Sequence, residues 1–331
     1  MARISYSDDS KPGITRRKMS HGWGYLAPDG ERITDRDEID RLNRIGLPPA
    51  YTDAWFCPKA NGHIQAVGWD AKGRKQYRYH ADFRARQDGA KYDRCAEFGL
   101  ALPALRKQVE ADLKGRGLSK ERSVAAVVRL LDICGIRVGN EAYARANKSF
   151  GATTLRKHHA KISGDTLRLQ FTAKSGKLCT LRMTDRALGR FVRKMQDLDD
   201  QHLFAWLDAE GAAHPVTSSD VNAYIRAATG EDFTAKHFRT WAASVTAFDA
   251  LASAAHDLSV AAMLEPVTAQ LGNTPAIARK SYVHPSLIAL IKQGQARFRK
   301  ALRLPRAARH LSRAERGLIA FLQGTPAAKA A

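Results

Sequence analysis

The chain has 331 residues, of which 44% are hydrophobic, and this length and apolar content are enough for about two domains with buried cores. Lysine and arginine total 54 against 33 aspartate and glutamate residues, so the net charge of +21 favours polyanions, nucleic acid before an anionic membrane. No run of about 20 apolar residues occurs, which excludes a membrane-spanning helix.

Sequence motifs exclude further classes of protein. The N-terminus, MARISYSDDSKPG, has no apolar signal region, and we expect a cytoplasmic location. No GxxxxGKS or GxxxxGKT phosphate loop and no carboxylate cluster for paired magnesium ions is present, so we expect any phosphoryl chemistry to need no ATP, metal or cofactor. Reduced thiols, and no disulfide framework or zinc site, are expected of the four scattered cysteines, Cys57, Cys95, Cys134 and Cys179.

The N-terminal part has β character. Residues 1–20 are polar and basic, and we expect them to be flexible. Residues 21–90 predict a small, mostly antiparallel β domain, because short apolar runs alternate with glycine, aspartate and proline, and Asn61-Gly62 is a turn signal. We expect one short helix at 35–42 and a polar linker near 83–92, where apolar periodicity is absent.

The segment GRKQYRYH, residues 73–80, combines aromatic and cationic side chains. In a strand, Tyr77 and Tyr79 share one face. Lys75 can neutralise phosphate, and Gln76 with the tyrosines can contact base edges or phosphates. The alternative is an amphipathic strand with a solvated basic face, and the sequence leaves both open.

Residues 91–290 predict a larger, mainly α-helical domain. Apolar residues at i, i+3, i+4 and i+7 predict a helix that begins after an N-cap at Ser119 and ends at Gly135. A second predicted helix starts near His256 and ends at Gly272. The remaining residues, 291–331, form a cationic C-terminal extension that either contacts phosphate or is solvated.

Single cations stand out in this domain. Arg137 lies between apolar neighbours and two glycines, so we expect an anionic partner, and an ion pair with Glu141 or Asp132 is the structural alternative. Alternating apolar residues over 165–183 predict a β-hairpin whose turn carries Lys174, which either reaches into a groove or is solvated.

Farther along, two basic segments follow. Lys236 and Arg239 are three residues apart and share a helical face, and we expect Lys236 to contact DNA. Tyr282 follows Arg279 and Lys280. A phenol with its ordinary pKa of about 10 is a poor nucleophile. It serves covalent catalysis when cations stabilise the phenolate and the phosphorane that it forms. The alternative is a tyrosine that fills a helix-packing position.

Together these residues form an ordered set that resembles the type IB DNA topoisomerases, in particular the poxvirus-like and bacterial branch. The resemblance covers roughly residues 20–290 and is specific only in combination. Its motifs are RVGNE at 137–141, AKSGK at 173–177, KHFRTW at 236–241 and LGNTPAIARKSYVHP at 271–285.

The resemblance implies relaxation of supercoiled double-stranded DNA. Tyr282 would attack a DNA phosphate and form a 3′-phosphotyrosyl bond. Arg137 and Arg239 would stabilise the transition state, and Lys174 would protonate the leaving 5′-oxygen. The family often has histidine where this chain has Asn273, which can orient a phosphate oxygen but cannot carry charge.

The resemblance also implies an α+β fold in two domains that form a clamp around DNA. Gln76, Tyr77 and Tyr79 would then lie in the major groove. A monomer with no obligatory protein partner and no membrane contact is expected, because a clamp with one tyrosine needs no second subunit.

Two other classes compete with this interpretation. A tyrosine recombinase would share the core, but recombinases usually have histidine at the position of Lys236 and a helical N-terminal domain. A non-enzymatic nucleic-acid-binding protein would use the net charge alone. It would give no reason for a tyrosine, an arginine pair and a hairpin lysine in this order.

Overall fold

The computed structural model describes residues 3–71, 73–198, 200–292 and 294–324, with the side chains of 87, 88, 90 and 91 outside the description. The chain divides between Ala90 and Lys91 into two compact units, called here the N-terminal and C-terminal units. In the described part of the chain, no helix has the length and apolar character needed to cross a bilayer.

The N-terminal unit is a five-stranded antiparallel sheet with one helix against it. The strand order is β2-β1-β3-β4-β5. Helix α1, Arg36–Arg44, begins at Asp35, whose side chain accepts from the backbone N–H groups of Asp37 and Glu38, which confirms the predicted short helix. The strands are β1 Ile14–Lys18, β2 Trp23–Leu26, β3 Thr52–Phe56, β4 Ile64–Trp69 and β5 Lys75–Tyr79. Their buried core comprises Ile14, Tyr25, Leu42, Leu47, Phe56 and Ala66.

Two N-terminal segments differ from expectation. Residues 14–18 lie in the predicted flexible segment, yet β1 pairs with both β2 and β3. Ile14 is its one buried side chain, Arg17 and Lys18 are exposed, and Arg16 donates to the Leu47 and Pro48 carbonyls. The strand therefore has no apolar alternation to detect. The segment predicted as a linker, 83–92, contains the boundary between the two units, but it is helical, because helix α2 spans Ala81–Asp93. Alanine, arginine, glutamine and lysine favour this helix by intrinsic propensity, without an apolar stripe.

The C-terminal unit is mainly helical and includes a three-stranded antiparallel sheet of order β6-β7-β8. Its helices are α3 Cys95–Lys114, α4 Lys120–Cys134, α5 Glu141–Asn147, α6 Arg186–Gln196, α7 Ser218–Thr229, α8 Ala235–Ser253, α9 Val260–Leu271, α10 Pro275–Ser281, α11 Pro285–Lys292, α12 Gln295–Ala301 and α13 Arg313–Gly324. Its strands are β6 Ala160–Ser163, β7 Thr166–Thr172, β8 Leu178–Thr184, β9 Ala205–Leu207 and β10 Ala213–Pro215.

Helix α4 lies at the centre of this unit, and nearly all of its residues from Arg122 to Leu131 are buried. The Ser119 hydroxyl accepts from the Arg122 N–H at its start, as predicted. It ends at Gly135, whose φ of 59° is left-handed. A Cβ at Gly135 would lie 2.9 Å from a Leu271 methyl group, so α4 and α9 end close together.

The predicted hairpin is confirmed as β7 and β8, and β6 adds a third strand that the sequence analysis missed. Leu167, Leu169 and Phe171 of β7 are buried in the main core. The turn between β7 and β8 is a single 3₁₀ turn, Lys174–Gly176, with Ser175 and Gly176 at positive φ.

The segment beyond residue 290 is more than a solvated basic extension. Helix α13 contributes the buried side chains Leu318 and Ile319 to the core of the C-terminal unit. Helix α9 begins at Val260, after an N-cap at Ser259, rather than near His256, and it ends at Gly272 as predicted.

Candidate active site

A cleft of about 470 Å³ opens in the C-terminal unit between the hairpin turn, the segment after α4 and the end of α9. Four of the five predicted catalytic residues line it, namely Arg137, Lys174, Arg239 and Asn273. The fifth, Tyr282, lies against Arg239, whose Cζ is 4.7 Å from the centroid of the tyrosine ring. Residues separated by up to 145 positions in the sequence therefore meet at one place.

Arg239 is only 4% exposed, and hydrogen bonds fix the position of its guanidinium group. It projects from α8 and donates from Nη1 to the Gly135 carbonyl and from Nη2 to the Leu271 carbonyl at 3.3 Å. These carbonyls close α4 and α9, where helix ends leave unsatisfied acceptors and partial negative charge. The buried Nε has no hydrogen-bond partner among the described residues. The ends of two helices thus orient the guanidinium group, and its Nε remains able to donate a hydrogen bond.

Arg137 bonds to Asn273 and to neither carboxylate considered above. Its Nη2 donates to Asn273 Oδ1 at 3.1 Å. Asp132 pairs instead with Arg106 at 2.8 Å, and Glu141 pairs with Arg156 at 2.5 Å. Within the described ranges, Arg137 has no carboxylate at ion-pair distance, so its charge in the cleft is not neutralised by an aspartate or glutamate.

The bond to Arg137 also orients the amide of Asn273. Because Oδ1 accepts from the guanidinium, Nδ2 is directed elsewhere, and this buried donor has no partner among the described residues. Asn273 is 8% exposed and follows Gly272, the left-handed residue that ends α9. Two guanidinium groups and one amide donor thus line the cleft, and donors of this kind bind an anionic oxygen.

The loop that carries Arg137 is fixed by a segment that the sequence analysis overlooked. The Arg137 carbonyl accepts from the Ala152 N–H at 2.9 Å, and the Val138 carbonyl accepts from the Thr153 N–H at 2.7 Å. A Cβ at Gly151 would lie 2.6 Å from the Arg137 carbonyl oxygen. The backbones approach so closely here that only glycine fits.

Tyr282 sits where α10 ends. Thr274 caps this helix and Pro275 occupies its first turn, while Tyr282 leaves the helical conformation with φ −133°. Ser244 of α8 stabilises this non-helical backbone. Its buried hydroxyl donates to the Tyr282 carbonyl at 3.4 Å and accepts from the His284 N–H at 3.1 Å. Helix α8 therefore carries both Arg239 and a support for the tyrosine backbone, and no sequence signal marked Ser244.

The cations around Tyr282 change its acidity. Burial alone would raise the pKa of the phenol, but the charge and hydrogen bond of Arg239, with the charges of Arg137 and Lys174, outweigh it and lower the pKa. The fraction of phenolate at neutral pH is therefore larger than for a free tyrosine. This is the condition under which a phenol becomes a competent nucleophile.

The lysines of the site are exposed. Lys174 occupies the hairpin turn and lines the cleft. Lys177, which the sequence analysis gave no role, also lines the cleft and donates to the Gly272 carbonyl at 3.5 Å. Lys236 lies in the first turn of α8, one turn before Arg239, and is not among the cleft-lining residues described.

In the N-terminal unit, the residues predicted to bind DNA lie on β5, at one edge of the sheet. Tyr77 and Tyr79 are 40% and 46% exposed and stack with ring centroids 5.9 Å apart, so they share a face as predicted. Lys75 pairs with Asp9 at 2.5 Å, and Gln76 donates to Asp70 at 3.1 Å. The tyrosines are thus presented outwards, while Lys75 and Gln76 have partners within the unit.

Two protein-family models match parts of this chain. The model of the eukaryotic DNA topoisomerase I catalytic core matches residues 80–288, and that of the bacterial DNA topoisomerase IB N-terminal domain matches residues 22–70. DNA topoisomerase 1B of Acanthamoeba polyphaga mimivirus is 32% identical over 286 residues, which is 82% of this chain and 85% of the viral protein. DNA topoisomerase 1 of Mycosarcoma maydis is 26% identical over 214 residues, 58% of this chain and 20% of that protein.

Among solved structures, two complexes of the site-specific recombinase XerH with difH DNA are similar at 17% identity. The post-cleavage complex has a TM-score of 0.37, covering 57% of this chain and 50% of the recombinase. The pre-cleavage complex has a TM-score of 0.35, covering 58% and 53%. The chain thus spans about half of each recombinase chain.

Proposed function

The chain belongs to the type IB DNA topoisomerase family, an isomerase family, and we propose from this premise that it relaxes supercoiled duplex DNA through a covalent bond between Tyr282 and a DNA phosphate. The observation that carries the proposal is the placement of the Tyr282 ring against the Arg239 guanidinium beside a cationic cleft. A fixed cation at this position stabilises the phenolate before attack and the phosphorane during it.

Cleavage exchanges the DNA phosphodiester bond for a phosphotyrosyl bond. The Tyr282 oxygen, having lost its proton to solvent, forms a bond to phosphorus in line with the bond to the 5′-oxygen, which breaks. Lys174, from the hairpin turn, donates a proton to the departing 5′-oxygen. The products are a 3′-phosphotyrosyl bond and a free 5′-hydroxyl.

Stabilisation of the pentacoordinate phosphorus is assigned to the other three residues. The guanidinium groups of Arg137 and Arg239 would bind the non-bridging oxygens, and Asn273 would donate from its unpartnered Nδ2. Because these donors are positioned before the substrate arrives, little reorganisation energy is spent at the moment of reaction.

Religation is the reverse reaction and needs no ATP. The 5′-hydroxyl attacks the phosphotyrosine, and the phosphodiester bond energy is kept in the enzyme–DNA linkage. Rotation of the cut strand about the intact one, between the two steps, would remove supercoils of either sign. We also propose that both units contact the DNA, the N-terminal unit through Tyr77 and Tyr79, with a contribution from Gln76 and Lys75.

We further propose that the protein acts as a monomer in the bacterial cytoplasm. All five catalytic candidates come from one unit of a single chain, so chemistry needs no second copy. Sedimentation of the protein with and without a short DNA duplex tests the assembly state, and a stable dimer at the concentrations of the relaxation assay would contradict the proposal.

The decisive experiment is relaxation of supercoiled plasmid in EDTA without ATP by the native protein and by Tyr282→Phe. We expect the native protein to relax positive and negative supercoils, and the variant to bind DNA without relaxing it. After a detergent quench, the native protein should leave nicked, protein-linked DNA with a free 5′-hydroxyl.

Tyr224→Phe is a matched control, because Tyr224 is also a half-buried tyrosine of the C-terminal unit, with its hydroxyl bonded to Asp112. This variant should still relax DNA. Relaxation by Tyr282→Phe at the native rate would show that Tyr282 is not the nucleophile.

A further inference from the structure

The three-stranded sheet of the C-terminal unit exposes one face that the proposed mechanism does not use. Its other face is buried through Leu167 and Leu169. On the exposed face, the strand register places Lys161 opposite Arg168, and Arg168 opposite Arg182. These three exposed side chains, called here the cationic row, lie side by side across β6, β7 and β8.

Such a row costs stability unless an anion binds to it. Like charges directly opposite each other on neighbouring strands repel. In the described part of the chain, no member of the row has a carboxylate at ion-pair distance, and the nearby Asp165 pairs with Arg193 at 3.6 Å. Other arginines of this unit are neutralised, as Arg129 is by Asp185 at 2.8 Å.

The cationic row also lines a groove of about 630 Å³ that adjoins the active-site cleft. Hydroxyl groups of Ser163, Thr166 and Thr180 lie in this groove with the three cations. Thr180 of β8 lines both this groove and the cleft that holds Lys174. A strand of DNA that occupied the cleft would therefore find a second set of phosphate-binding groups directly beside it.

We propose that the cationic row is a phosphate-binding surface for duplex DNA, next to the catalytic cleft and separate from the catalytic residues. The inference rests on the proposed function, because it assumes DNA in that cleft. Lysine, arginine and hydroxyl side chains suit phosphate contacts, which position DNA without selecting its sequence.

The dimensions of the row agree with this ligand. Adjacent strands lie about 4.8 Å apart, so three strands present their cations over about 10 Å. One DNA strand carries a phosphate every 3.4 Å along the helix axis, so about three phosphates face a row of this length.

The test is the salt dependence of DNA binding for a variant that combines Lys161→Gln, Arg168→Gln and Arg182→Gln. The slope of log K against log salt is negative, and each lost phosphate contact reduces its magnitude by about 0.9, so we expect a reduction of about 2.7. A fourfold rise in salt should then weaken the native protein about 40-fold more than the variant. The melting temperature should not fall, because the substitutions remove repulsion between neighbours.

A matched control removes three exposed cations that lie in neither groove, by Lys107→Gln, Arg297→Gln and Lys300→Gln. The net charge changes equally, but the slope should stay near that of the native protein. If both triple variants reduce the magnitude of the slope equally, general charge accounts for binding and the inference is wrong. An unchanged slope for the row variant would also contradict the inference.

The row could bind the flanks of the duplex being cut or a second duplex, and DNA of two lengths distinguishes these possibilities. If the row binds the flanks of the duplex being cut, its loss should matter only once a short duplex is lengthened beyond the cleavage site. If it binds a second duplex, its loss should change the salt dependence equally for both lengths, and the variant should also fail to retain a second labelled duplex on immobilised DNA.

Failure of the inference and failure of the proposed function can be told apart. If the native protein relaxes plasmid DNA and the row variant has the native salt dependence, only the inference is contradicted. A native protein that does not relax DNA contradicts the proposed function and the inference with it. At saturating DNA and low salt, the row variant should form the Tyr282 adduct at the native single-turnover rate.

Discussion

The acidity of a single tyrosine in this protein is set by its neighbours. Tyr224 and Tyr282 are both half-buried in the C-terminal unit. Burial and the Asp112 carboxylate raise the pKa of Tyr224. Burial would raise the pKa of Tyr282 as well, but the Arg239 charge reverses the direction. The same type of side chain is thus less acidic than a free tyrosine at position 224 and more acidic at position 282.

His159 shows the same dependence on environment, with a consequence for stability. It is 8% exposed, and its Nδ1 accepts from the Arg156 backbone N–H at 3.0 Å, which requires a neutral ring. Burial, with the charges of His158 and Arg156, lowers the pKa of His159 from 6.5 to about 4. Its ring contacts Phe150, which lines the cleft, at a centroid distance of 4.5 Å.

We predict that acid destabilises the protein in part through His159. The folded-state pKa lies below the unfolded one, so between pH 6.5 and about 4 the unfolded chain binds more protons, and the free energy of unfolding falls as pH falls. Urea unfolding at several pH values should show a flatter dependence for His159→Asn. Exposed His256→Asn should keep the native dependence, and an equal slope for all three proteins would contradict the prediction.

At the scale of elements, the hairpin turn between β7 and β8 projects Lys174 into the cleft without burying it. The turn is held by the Ala173 N–H, which donates to the Lys177 carbonyl at 2.7 Å. A flexible side chain on a short rigid turn can follow a leaving group as it departs. This placement suits a proton donor better than a fixed electrostatic contact, for which Arg239 on α8 is placed.

We predict that Lys174→Ala lowers the single-turnover cleavage rate by about 10²- to 10⁴-fold, the usual contribution of a general acid. A substrate with sulfur in place of the bridging 5′-oxygen should restore most of the rate, because a thiolate leaves without a proton. Lys177→Ala, in the same cleft, should show no such selective rescue. If sulfur does not rescue Lys174→Ala, the lysine has another role.

At the scale of the whole molecule, an ion cluster joins α13 to three other helices. Glu315 accepts from Arg106 at 2.7 Å and from the Trp241 indole N–H at 3.1 Å, and Arg106 also pairs with Asp132. Burial would raise the pKa of Glu315, but Arg106 outweighs it and lowers the pKa. Trp241 lies on α8 two residues after Arg239, so the C-terminal helix supports the element that carries the site.

We predict that Glu315→Gln lowers the free energy of unfolding by about 1–3 kcal/mol, because it leaves buried donors without their charged acceptor. Glu110→Gln is the control, since Glu110 pairs with Arg309 through side chains that are 41% and 77% exposed. Its cost should be below about 1 kcal/mol. Denaturant unfolding measures both, and equal values would show that the cluster does not support the fold.

Local signals in the sequence predicted several elements correctly. Helix α1 after Asp35, helix α4 between Ser119 and Gly135, and the end of α9 at Gly272 all depend on caps, which act within a few residues of one another. The alternation of apolar residues in β7 and β8 also predicted these strands correctly. Strand β1 and helix α2 were missed because neither has an apolar period of its own, and α13 because its burial depends on distant partners.

The sequence by itself determined which chemical groups are available: a tyrosine that follows two basic residues, several other cations and an amide, in an order that resembles one family. Only the tertiary structure decided which of them meet. Asp132 and Glu141 were equally plausible partners of Arg137, yet each pairs with a different arginine and Arg137 bonds to Asn273. The choice depends on distances in space, which local periodicity does not encode, and strand register likewise gathers the cationic row from three strands.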